Sequence, residues 1–73
     1  MDETIRKAID RNCERILDHP RGRTLYAGQE DDLREGLTLM AEHETARGST
    51  AIETARLLDE CDPLAPGQAC LFL

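Results

Sequence analysis

Bulky aromatic side chains are almost missing: the 73 residues hold one Tyr, one Phe and no Trp. Leu, Ile and Ala must therefore carry the core. A chain of this length buries only about 60% of the surface it exposes when unfolded. Domains of this size usually add a metal, disulfides, oligomerisation or very regular helix packing. A self-contained enzyme pocket is hard to wall with so few large groups. Long apolar runs are also missing, which excludes a membrane-spanning helix. The segment Met1-Asp2-Glu3-Thr4 has neither a basic nor an apolar signal-peptide region. Cysteine is scarce and odd in number, three in all, which argues against a closed disulfide framework and for a reducing, cytoplasmic setting. Cations are outnumbered, nine Lys+Arg against fifteen Asp+Glu, for a net charge of −6. That balance disfavours direct nucleic-acid binding, which depends on Lys and Arg neutralising phosphates.

What is present is helical periodicity. Ile5, Ala8, Ile9, Cys13 and Ile16 recur at three- and four-residue steps and predict one helix over 2–18. Asp2 is placed to cap it, and Glu3 and Lys7 form an i,i+4 pair. Pro20 ends it by pushing His19 out of the α region. Residues 19–28 read as a connector, with room for a short extra turn and with Leu25 and Tyr26 as anchors. Leu33, Leu37 and Met40 predict a second helix over about 29–46, stopped by Gly48. Gly36, beside that stripe, costs about 1 kcal/mol relative to Ala. Thr50 and Glu53 have the spacing of a capping box. A third helix to about Glu60 follows, with Ala51, Ile52, Ala55 and Leu58 inward. Asp62-Pro63 breaks it, and an apolar tail runs to Leu73.

The expected fold is a single all-α domain, residues 1–73. A helical hairpin (about 29–60) packs on the N-terminal helix (2–18), and the apolar tail 62–73 closes one side.

Few residues suggest chemistry. Cys13, Cys61, Cys70, His19 and His43 include no Cys-x-x-Cys or His-x-x-x-His pair, so no metal site and no cofactor are expected. No Gly-rich phosphate loop occurs, and Arg21-Gly22-Arg23 reads as a solvated turn. Cys70-Leu71-Phe72-Leu73 formally fits a prenylation pattern, but no polybasic segment supports it; the expectation is a tail that packs on the helices. Asn12, among Ile5, Ile9 and Ile16, is expected at the edge of the apolar face, bonded to backbone or water.

Surface features are more informative. Leu39, beside His43 and Ala46, lies far from the Leu33/Leu37/Met40 stripe, and Leu57 is similarly displaced on the next helix. A second apolar surface that meets another chain is therefore expected. Asp31, Glu35 and Glu42 fall near one line of the outer face, where they suit a basic groove on a protein partner. Residues 19–27 carry +2, from Arg21 and Arg23, whereas 28–47 carry −4 from six acids and two arginines.

These observations point to a non-enzymatic, acidic, protein-binding regulator or inhibitor that occupies a surface of a larger protein machine. Such proteins occur on phages and mobile elements. The expected contacts are Leu39, His43 and Leu57 for packing and Asp31, Glu35 and Glu42 for steering. A homodimer is expected, with Leu71, Phe72 and Leu73 serving oligomer or tail packing. Two alternatives are an accessory subunit that stabilises an enzyme complex and a cysteine-based metal or redox protein.

Overall fold

The computed structural model describes residues 2–60. They form four helices, α1 (Glu3–Asp18), α2 (Pro20–Leu25), α3 (Glu30–Ala46) and α4 (Ala51–Glu60). The expected tail, with Leu71, Phe72 and Leu73, lies outside the described residues, as do Cys61 and Cys70. The all-α expectation holds, but the three-helix count does not. The stretch after Pro20, expected as a connector, is a short helix.

The physical reason is the dual role of a proline. His19 is extended (φ −78°, ψ 136°), as a residue before proline must be, and this ends α1. Pro20 then occupies the first turn of the next helix, where its missing N–H costs nothing. His19 Nδ1 accepts a hydrogen bond from the Arg21 N–H at 3.1 Å and so caps α2. Gly22 faces Ile16 closely: a Cβ at Gly22 would lie 1.8 Å from the Ile16 carbonyl oxygen. Only glycine allows α2 to dock there. Among the described residues α2 touches α1 and no other helix.

Elsewhere the predicted signals operate. Asp2 accepts from the Thr4 N–H at 2.7 Å. Thr50 Oγ1 accepts from the Glu53 N–H, and Glu53 Oε1 from the Thr50 N–H, both at 3.1 Å, a complete capping box. Gly48 adopts φ +100° after α3, and the Ser49 N–H returns to the Glu44 carbonyl.

Helix α1 is the hub, touching α2, α3 and α4. Its Ile5, Ala8, Ile9, Cys13 and Ile16 meet Leu33, Leu37, Met40 and Ala41 of α3 and Ala55 and Leu58 of α4 in one core. Arg34 of α3 pairs with Asp10, while Ala41 and Thr45 lie beside Ile5 and Asp2, so α3 runs antiparallel to α1. Ala51 lies near Ile5 and Asp59 meets Arg11, so α4 runs parallel to α1. Tyr26 packs against the core as an anchor, but Leu25 is 52% exposed.

On α4 two expectations are corrected. Ile52, expected inward, is 67% exposed, and Leu57, expected outward, is half-buried. Thr54 rather than Ile52 joins Ala55 and Leu58 inside. Because Thr54 lies three and four residues from Leu57 and Leu58, the helix is rotated toward them and away from Ile52.

Candidate functional site

The register of α3 sorts its residues sharply. Leu33, Leu37, Met40 and Ala41 point into the core. Asp31, Glu35, Leu39, Glu42 and His43 are all exposed, Leu39 by 58%. Asp31 and Glu42 stand about 16 Å apart along the axis, from 1.5 Å per residue, and Leu39 lies between Glu35 and Glu42 in sequence. Neither arginine at this helix forms an ion pair with the line, although Arg34 lies close enough to Asp31 to interact with its charge. Arg34 reaches across to Asp10 on α1, and Arg47 pairs with Glu44 at 3.4 Å. Among the described residues no cation pairs with Asp31, Glu35 or Glu42.

Three of the predicted contact types thus share one helix face: the acids, Leu39 and His43. Leu57 does not extend it as expected. It belongs to α4 and is half-buried, so it offers less open surface than its position on a helical wheel implies. The exposed leucine and isoleucine side chains, Leu25, Leu39 and Ile52, sit on three different helices. Ile52 shares its flank with Asp59, seven residues on, which contacts α1.

A second polar constellation was not legible beforehand. Asp59, in the last turn of α4, accepts two hydrogen bonds from Arg11: Nε to Oδ1 at 3.1 Å and Nη2 to Oδ2 at 2.7 Å. Its Oδ1 also accepts from Asn12 Nδ2 at 3.1 Å. Asn12 is not at the edge of the apolar face, as expected, but 1% exposed inside it. Its amide donates to the Ala8 carbonyl at 2.7 Å, and its Oδ1 accepts from Arg15 Nη2 at 2.6 Å. Arg15 also donates to the Asp59 carbonyl at 3.0 Å. The hydrogen bonds from Arg11 hold the Asp59 carboxyl below its ordinary pKa, against the opposing effect of burial. Every group here is committed to joining α1 and α4, so the cluster is structural. The only early sign was Asn12 itself, a polar residue among isoleucines.

No group of three or more His, Cys, Asp or Glu converges among the described residues. Cys13 is an unpaired buried thiol, and burial pushes its pKa up, away from the reactive thiolate. Among the described residues no helix is long and apolar enough to cross a membrane.

Comparison with protein-family profiles, with curated proteins and with solved structures finds no significant match to this chain.

Proposed function

We propose that this chain is a non-enzymatic protein-binding regulator that docks through the outer face of α3 onto a basic surface of a larger protein. The supporting observation is Leu39, 58% exposed beside a line of carboxylates with which no described cation forms an ion pair. An apolar anchor flanked on one side by Glu35 and Glu42 suits a partner groove that is apolar at its centre and basic along one edge. The acids would steer the encounter and Leu39 would be desolvated on arrival. His43, one turn from Leu39 on the same exposed side, extends the contact.

The test is affinity capture from the native host with three baits: the wild type, Leu39→Asp, and Asp31→Lys/Glu35→Lys/Glu42→Lys. Support requires one stoichiometric partner that the wild type retains, that Leu39→Asp loses, and whose association rate with the triple variant falls while its salt dependence flattens. Equal retention by all three baits refutes the docking face. Circular dichroism checks that each variant is folded.

A further inference from the structure

His19 serves both helices that meet at it. Its backbone N–H donates to the Ile16 carbonyl at 3.2 Å and closes α1. Its carbonyl accepts from the Arg23 N–H at 2.8 Å, and its Nδ1 accepts from the Arg21 N–H at 3.1 Å. Pro20 brings no N–H of its own, so the Arg21 amide is the first donor of α2 and the imidazole is its acceptor. The first turn of α2 holds no acidic residue. Six residues are too few to hold a helix in water without help. Helix α2 therefore depends on this cap and on its seat against α1, where Gly22 is buried on Ile16.

A ring nitrogen accepts a hydrogen bond only while it carries no proton; in the imidazolium form both nitrogens donate. Histidine changes charge between about pH 5 and 8, and His19 is exposed, so its ring is open to solvent protons. Once protonated, it turns a donor toward the Arg21 N–H. It also sets a positive charge at the end of a helix that favours negative charge. The other charges on α2 are Arg21 and Arg23, and Arg23 donates to the Leu17 and Asp18 carbonyls at 3.5 and 3.2 Å. Among the described helices α2 touches only α1, whose end carries Glu14, Arg15 and Asp18. Arg15 reaches away to the Asp59 carbonyl on α4. Carboxylates and arginines ordinarily keep their charge between about pH 5 and 8. The second histidine, His43, lies on α3, which α2 does not touch.

We infer that His19 is a pH-sensitive latch for α2. With a neutral ring it fastens the helix onto the end of α1. Protonated, it releases the Arg21 N–H, and α2 opens from α1 and uncovers the side of Ile16 that Gly22 now covers. Helices α1, α3 and α4 stay packed, because the core they share contains no residue of α2. The latch is independent of the docking face on α3.

The experiment is amide hydrogen exchange of the full chain, followed by NMR from about pH 8 to about pH 5, with each rate divided by that of an unstructured amide at the same pH. Protection of the Arg23 and Tyr26 amides should fall about tenfold on acidification, from loss of a cap and an adverse charge at the helix start, while the Leu37 and Leu58 amides keep theirs. His19→Asn caps a helix without titrating and should stay protected throughout. His19→Ala has no cap and should be poorly protected throughout. In the wild type the neutral ring should hold its proton on Nε2, which the ring nitrogen shifts report. Intact protection at Leu37 and Leu58 shows that each variant is folded. A wild type that keeps α2 protected at acid pH overturns the latch. So does His19→Asn opening as the wild type does, His19→Ala matching the neutral wild type, or a neutral ring protonated at Nδ1. Loss at Leu37 and Leu58 in step with Arg23 overturns it too, since the whole domain then opens.

Discussion

Replacing Asp59 with alanine isolates the contact that ties the far end of α4 to α1. Two losses add. The paired Arg11 and Asp59 side chains are 55% and 43% exposed, so their ion pair contributes only about 0.5 kcal/mol in solvent. Asn12 is almost fully buried and would lose one of its two acceptors, at a cost of about 1 kcal/mol. The sum of about 1.5 kcal/mol corresponds to a fall in melting temperature of roughly 6–12 °C for a domain of this size. Asp59→Asn is the control: it keeps an oxygen for Asn12 and loses the charge, so it should cost only about 0.5 kcal/mol. Thermal and urea denaturation followed at 222 nm measure both. A folded carboxyl held below its ordinary value stabilises the protein above the unfolded pKa and loses that contribution as pH falls through the folded one. The gap between wild type and Asp59→Asn should therefore be full at neutral pH and close below about pH 3, given an unfolded Asp near 3.9. If Asp59→Ala costs less than about 0.5 kcal/mol, or if the two variants are equally destabilised, the view of Asn12 as the buried recipient of Asp59 is wrong.

Three further outcomes follow from the packing. Gly22→Ala would drive a Cβ into the Ile16 carbonyl; α2 should undock, with a loss of about 2 kcal/mol or more and faster hydrogen exchange confined to residues 20–26. Thr54 is fully buried, and its hydroxyl has no hydrogen-bond partner among the described residues, so Thr54→Val should raise stability by about 1 kcal/mol; a drop in melting temperature would contradict this. The Cys13 thiol, pushed up by burial, favours folding below the unfolded thiol pKa, and that advantage is lost as pH rises through the folded value. Stability of the wild type should then fall above about pH 8.5 relative to Cys13→Ala, and thiol reagents should label Cys13 only at the rate of opening.

The helices were legible because their signals are local and redundant. Ile5, Ala8, Ile9, Cys13 and Ile16 all proved buried, and the Thr50–Glu53 box closed as its spacing predicts. Pro20 was read for only one of its two meanings, the end of a helix, although it also starts one. On α4, ten residues give too few turns to fix a face, and burial of Thr54 turned the helix away from Ile52. The role of Asp59 was beyond reach, because its partner Arg11 lies 48 residues away in sequence and nothing local records that separation. Of the candidate site, the outward direction of Leu39 and the α3 acids could be read from period alone. A cleft beside Glu42 could not, since Asp2, Ile5, Ala41, Glu42, Thr45 and Ala51 come together in it from three separate helix ends.

The central place of α1 has a consequence for how the protein tolerates change. Sixteen residues make contact with every other helix, so nearly every packing decision in the domain passes through them. Substitutions there strain several partners together, whereas α2 answers to a single neighbour and is free to vary wherever Gly22 is kept. Among the described helices, sequence drift should accordingly concentrate on α2, and the first helix should be the slowest to diverge.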